Sequence, residues 1–184
     1  MLEPQEQDID VLDDNGLRTK EVLPREEIHR LGKLHRAVHL YLLDLQGNIL
    51  LQQRSAQVDH CPGMLSISLT AHVDTGESSS TALNREIEEE LQLDPSHMRC
   101  HFLFSYRHDE ILSPTYIDRQ FNDVYLCFYN FSLQHIRYNP QETAAISLVP
   151  FADFEMMIKD KDSILPSTYV KALPDLLLFL GKLF

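Results

Sequence analysis

The sequence predicts an α/β fold, a sandwich built around a mixed β-sheet, and three observations carry that expectation. Residues 37–43, Ala-Val-His-Leu-Tyr-Leu-Leu, form a continuous apolar run typical of a strand buried on both faces. Residues 64–70 alternate apolar and polar, the period of a second strand. Between 79 and 91, Leu83, Ile87 and Leu91 recur at i, i+4 and i+8, the seam of a long central helix.

The elements follow in order. Residues 8–20 read as a hairpin, with Asp8 to Leu12 outbound, Asp14-Asn15-Gly16 as the turn and Leu17 onward returning. Pro24 opens a short helix through Leu31, with Gly32 as its stop. After the strand from His35, Gln46-Gly47-Asn48 turns the chain back into Ile49 to Arg54. Serines 78–80 offer an N-cap to the central helix. Beyond Pro95, strands are expected near 99–106 and 123–131 and helices over 151–158 and 167–183, the last docking Leu173, Leu176, Leu177 and Leu180. Residues 1–23 then form an arm and hairpin, and 24–184 one globular unit. The hairpin is also available as an edge strand or a homodimer contact.

Composition narrows the function classes. Lys+Arg 16 against Asp+Glu 28 gives a net charge of −12 over 184 residues, with no basic stripe suited to a nucleic-acid polymer. The six glycines are too dispersed for GxGxxG, a Walker A loop or GxSxG. Cys61, Cys100 and Cys127 are odd in number and far apart, which predicts reduced thiols in a cytoplasmic protein. The start is acidic, unlike a signal peptide, and the apolar run at 176–180 is too short to span a membrane. The acidity is concentrated. Glu3, Glu6, Asp8, Asp10, Asp13 and Asp14 give the first 16 residues a net −6, and residues 71–93 carry −5. The first cluster reads as a solvated face; the second lies between apolar segments.

At 100° per residue, Glu86, Glu89 and Glu90 share one helix face within a ~100° arc. Like charges so placed repel, and a hard divalent cation compensates best. Arg85 lies four residues before Glu89 and can orient it, while Glu88 faces elsewhere. From Ala71 to Leu93 the chain resembles the Nudix box, G-x5-E-x7-R-E-U-x-E-E-x-G-U, with Glu77, Arg85, Glu86, Ile87, Glu89, Glu90 and Leu93 in place and Ala71 and Gln92 standing where the box has glycines. The resemblance implies an α/β/α sandwich and hydrolysis of a nucleoside diphosphate linked to another group. It implies Mg²⁺ or Mn²⁺ on Glu86, Glu89 and Glu90, with Arg85 and Glu77 bracing the loop. Glu89 is the preferred base and Glu142, after Pro140, the alternative.

Residues 24–29, 34–39, 50–54 and 71–74 are similar to the Nudix subgroup related to isopentenyl-diphosphate isomerase. That resemblance places His29, His35 and His72 at a second metal position, where neutral imidazole suits Zn²⁺ or Mn²⁺. Thr70 occupies the place of the isomerase cysteine, and a hydroxyl does not readily take over a thiol's proton transfer. The isomerase's downstream glutamates are not evident, since Gln120, Asn122 and Asp123 stand near where they would fall. The reading is therefore an isomerase-like scaffold without isomerase chemistry. Among Arg25, Arg30, Lys33, Arg36 and Arg54, Arg54 is the favoured diphosphate ligand, with Arg36 and His72 as further substrate contacts. Tyr106, Tyr116, Phe121 and Tyr125 could stack a base, though core packing suits most of them. His39 reads as a core residue. The expected function is metal-dependent pyrophosphate hydrolysis of a small diphosphate; the alternatives are an isomerase-like enzyme and a non-catalytic nucleotide-sensing module.

Overall fold

In the computed structural model, residues 7–58, 61–160 and 165–180 are described. Glu3, Glu6, His60 and the last predicted helical residues, 181–183, lie outside them. The chain opens with β1 (Asp8–Leu12) and β2 (Arg18–Pro24), an antiparallel hairpin. Asp13 makes its turn: its carboxylate accepts from the backbone N–H of Asn15 and Leu17, both at 2.9 Å. Helix α1 (Arg25–Leu31) follows Pro24 and ends at Gly32, whose left-handed φ of 60° and contact with Ile117 leave no room for a side chain.

The main sheet contains β3 (His35–Leu43), β4 (Asn48–Arg54), β5 (Leu65–Ser66), β6 (Leu69–His72), β7 (Arg99–Ser113), β8 (Tyr116–Phe128) and β9 (Thr143–Pro150). Its order is β5-β4-β3-β8-β7, with β6 on β3 and β9 on β4. The β3–β8 pair is parallel and the others antiparallel, so the sheet is mixed. Helix α2 (Ser79–Leu91) covers one face, and α3 (Phe151–Lys159) with α4 (Ser167–Leu180) covers the other.

This layering explains the apolar run of β3. Val38, Leu40 and Leu42 pack with Leu83, Ile87 and Leu91 of α2, while Tyr41 and Leu43 pack with Phe154, Ile158, Leu176 and Leu180. Burying a side chain such as Ile87 contributes ~1.5–3 kcal/mol, enough to fix which face of α2 turns inward. Ser78 caps the helix by accepting from Thr81 N–H at 3.1 Å.

Several expectations need correction. The stretch at 64–70 is two short strands, β5 and β6, on different partners. The hairpin β7–β8 runs further, to Ser113 and from Tyr116, because its charged residues pair across strands and show no apolar alternation. β9 begins at Thr143, directly after the turn that holds Glu142, over a stretch for which no element was expected. Cys100 and Cys127 face each other across β7–β8 and are joined in a disulfide, against the expectation of reduced thiols; Cys61 is free. No helix among the described residues is long and apolar enough to cross a membrane.

The two glycine substitutions in the box differ in cost. Ala71 lies in β6 without a positive φ, whereas Gln92 ends α2 at φ 51° and ψ 38°. A side chain there costs ~1 kcal/mol that glycine avoids. Gln92→Gly should therefore raise stability by about 1 kcal/mol, roughly 2–4 °C in Tm, measured by thermal unfolding; a lower Tm would show that the Gln92 side chain does more than cap.

Candidate active site

β3 and β4 are in register at Leu43 and Ile49; beyond that point β6 takes the freed edge of β3 and β5 that of β4, while β9 pairs along the opposite edge of β4. The parting holds a cavity of about 470 Å³. β4 supplies Gln52 and Arg54, β6 supplies Thr70 and His72, α2 supplies Glu86 and Glu90, and α1 supplies Arg25.

On α2, Glu86 and Glu90 line the cavity, whereas Glu89 is on the outside with its side chain 61% exposed. Arg85 separates them. Its guanidinium meets Glu77 at 2.9 and 3.0 Å, Glu86 at 2.6 Å, Glu89 at 3.3 Å and Asp74 at 3.3 Å. These contacts hold the Glu77 carboxyl below its usual range and push the Arg85 pKa up. Burial, reinforced by Glu86 and Glu142, pushes the Glu90 pKa up to about 8; burial also raises that of Glu86. Gln52 donates to Ser68 O at 2.7 Å and reaches Glu90 at 3.5 Å, while its own carbonyl accepts from the Thr143 hydroxyl. Burying carboxylates together in this way is costly unless protons or a cation neutralise them.

The structure also assembles the three histidines. Donor atoms of His29, His35 and His72 lie within 4.8 Å of one another, the one such group of three potential ligands among the described residues. Asp118 of β8 adds a carboxylate, with Oδ1 3.8 Å from His29 Nε2 and 4.0 Å from His35 Nε2. Both His35 Nε2 and Asp118 Oδ1 are buried without a hydrogen-bond partner. Desolvation lowers the His35 pKa to about 3, keeping it the neutral imidazole that ligates metals, and raises that of Asp118 to about 7 with help from Glu110. These orphaned atoms and this donor chemistry fit a divalent cation.

The other expected contacts sort clearly. Arg54 and His72 line the cavity, as does Arg25. Arg36 is not in the lining; it donates to Asp123 at 2.6 Å and to Gly16 O at 2.7 Å, tying the sheet to the hairpin. Arg30 pairs with Glu27, and Lys33 with Glu21. Tyr116 lines the cavity and stacks on His29, with ring centroids 4.2 Å apart. Phe121 lies under Arg36, and Tyr125 shares a hydrogen bond with Ser79. His39, read as a core residue, is buried but also lines the cavity, with Nδ1 3.2 Å from the Tyr106 hydroxyl. Sequence reasoning missed Asp118, Glu110, His108, Gln52, Tyr169 and Cys61, all in the lining. Strand partners bring most of these in from distant segments, and no local motif marks them.

A glutamate-bearing loop and helix set over the parting of a mixed sheet, with helices on both faces, define the class of α/β/α sandwich that the box implies. The family model described as NUDIX domain matches residues 33–168, and the chain belongs to that family. Nudix hydrolase 3 of Arabidopsis thaliana is 31% identical over 161 residues, covering 85% of this chain but 21% of that protein. An isopentenyl-diphosphate Delta-isomerase of Streptomyces griseus subsp. griseus is 32% identical over 120 residues, 64% of this chain and 59% of that protein. The chain thus spans less than two thirds of either relative. Among solved structures, DR0079 from Deinococcus radiodurans shares the fold with a TM-score of 0.68 at 21% identity, covering 85% of this chain and 91% of that one.

Proposed function

We propose that this chain is a divalent-metal-dependent hydrolase that cleaves the pyrophosphate linkage of a nucleoside diphosphate-X or a similar small diphosphate. The observation that carries the reading is the convergence of Glu86 and Glu90 on a cavity that also presents Arg25 and Arg54. Buried carboxylates repel a diphosphate unless a cation lies between them. The names of the relatives, a Nudix hydrolase and an isomerase acting on a diphosphate, support this class of substrate.

Glu86 and Glu90 would hold Mg²⁺ or Mn²⁺, and His29, His35, His72 and Asp118 a second cation. Bound there, such ions neutralise diphosphate charge and lower the pKa of a coordinated water. The protein's own groups do the rest. Arg25 and Arg54 grip phosphate oxygens, with His72 beside them in the lining. Gln52 orients the Glu90 carboxylate, and Arg85 fixes Glu86 and keeps Glu89 on the rim. Glu142, in the lining on the turn before β9, takes the proton of the attacking water, in place of the Glu89 favoured from sequence. One water is consumed: its oxygen joins one phosphorus, the bridging P–O bond breaks, and the proton ends on the leaving phosphate.

The test is a panel of nucleoside diphosphates, nucleotide sugars, dinucleotides and isopentenyl diphosphate with the purified full chain. Release of phosphate or monophosphate with Mg²⁺ or Mn²⁺, lost in EDTA, is expected. Double-bond migration in isopentenyl diphosphate would point to the isomerase reading. Binding without turnover would point to a sensing module.

A further inference from the structure

In the acidic hairpin, Asp8 and Asp10 are not merely solvated. The loop that carries Asp74, Thr75, Gly76 and Glu77 from β6 into α2 has one backbone bond of its own, from Glu77 N–H to Asp74 O at 3.1 Å. The hairpin supplies others. Thr75 N–H donates to Asp8 O at 2.8 Å, Gln7 donates to the Asp74 carboxylate at 2.5 Å, and Arg18 donates to Glu77 O. Asp10 is at the centre of these contacts. One carboxylate oxygen accepts from the Thr75 hydroxyl at 2.8 Å, the other from Gly76 N–H at 3.0 Å, and Arg18 Nε closes the set at 3.0 Å.

Thr75 and Gly76 sit between Asp74 and Glu77, the two loop residues that hold Arg85, and Arg85 in turn contacts Glu86 at 2.6 Å. Resting on the metal-site reading above, we infer that Asp10 is a positioning residue for that site, acting through Thr75 and Gly76 on Arg85 and so on Glu86. A loop released from Asp10 loosens Asp74 and Glu77 from the guanidinium. Arg85 then bears more fully on Glu86 and competes with the cation for its carboxylate. Metal affinity falls, while the reacting groups in the cavity stay in place.

The test compares Asp10→Ala, Thr75→Val and the double variant with the full-length parent. Two readouts are used: Mn²⁺ binding from the free-ion EPR signal, and the Mg²⁺ dependence of turnover. Asp10→Ala should weaken Mn²⁺ binding and raise the half-activating Mg²⁺ concentration by about tenfold, the scale of groups that orient metal ligands, with kcat at saturating Mg²⁺ within about twofold. Thr75→Val should shift both in the same direction by less, and the double variant should not exceed Asp10→Ala, because the Thr75 hydroxyl acts through its bond to Asp10, one of the contacts that Asp10→Ala already removes. Asp10→Asn, which keeps one acceptor oxygen, should fall between. Unchanged Mn²⁺ binding in Asp10→Ala, with only Tm lowered, would overturn the inference, as would a loss confined to kcat. If Asp10→Ala does not fold, Thr75→Val decides by the same measures. A parent that binds no Mn²⁺ and shows no metal-dependent turnover would instead overturn the functional reading on which the inference rests.

Discussion

Glu90→Gln lowers metal-dependent turnover by ~10²–10³-fold or more, the scale of losing a group that stabilises transition-state charge, yet raises the Tm of the metal-free protein at pH 8. The two effects have one origin. Burial and the nearby Glu86 and Glu142 hold the Glu90 pKa at about 8, so the charged carboxylate is a liability in the folded state until a cation meets it. Glutamine has nearly the same shape and no charge, so it removes the liability and the ligand together. It can still bond with Gln52 after an amide rotation. A residue that only packs the helix would lower both stability and activity. Turnover at saturating Mg²⁺ and calorimetric Tm in EDTA, on the same samples, separate the cases. Glu89→Gln, on the rim against Arg85, should cost much less, which reverses the priority that sequence reasoning gave it.

The metal-free protein should lose stability as pH rises from 6.5 to 8. A carboxyl whose folded pKa is raised binds its proton more tightly in the native state, so its penalty is absent below the unfolded pKa and complete above the folded one. For Glu90 that interval runs from 4.5 to about 8, and for Asp118 from 3.8 to about 7. His35 and His39 act oppositely: lowered from 6.5 to about 3, they keep their full stabilising effect above 6.5 and lose it as pH falls. The window between 6.5 and 8 therefore isolates the carboxyls. One proton over that span is worth about 2 kcal/mol, or roughly 4–8 °C in Tm. Saturating Mg²⁺ should flatten the decline, because the cation replaces the proton. Thermal scans in EDTA and in Mg²⁺ across this range check the prediction; parallel curves would mean that the buried carboxyls do not hold the cation.

Helix α2 was fully legible because its cap, seam and end are all local: Ser78, the Leu83-Ile87-Leu91 stripe, and Gln92 in the place of the usual glycine. The apolar run of β3 and the turn at Gly47 were legible for the same reason. The site was only half so. Angular arithmetic puts Glu86, Glu89 and Glu90 on one face, but only the packed structure shows that Arg85 takes Glu89 outside while burial takes Glu90 inward. Arg36 and Arg54 look alike in sequence. They part because Asp123, 87 residues away, captures Arg36 through the parallel β3–β8 register. The histidine cluster was named from a resemblance. Its carboxylate partner, Asp118, sits in a charged hairpin that offers no periodicity to read. The disulfide had a faint signal: Cys100 and Cys127 are placed nearly symmetrically about Pro114, but bulges in the hairpin hide the register that pairs them.

The most direct measurement is calorimetric titration of Mn²⁺ into cation-stripped protein at pH 8, repeated in two buffers of different ionisation enthalpy. A site at Glu86 and Glu90 predicts uptake of the ion with release of about half a proton, since Glu90 is about half protonated at that pH, and one fewer bound ion in Glu90→Gln. Uptake with no proton released, or the same number of ions bound with and without the Glu90 carboxylate, would contradict the account.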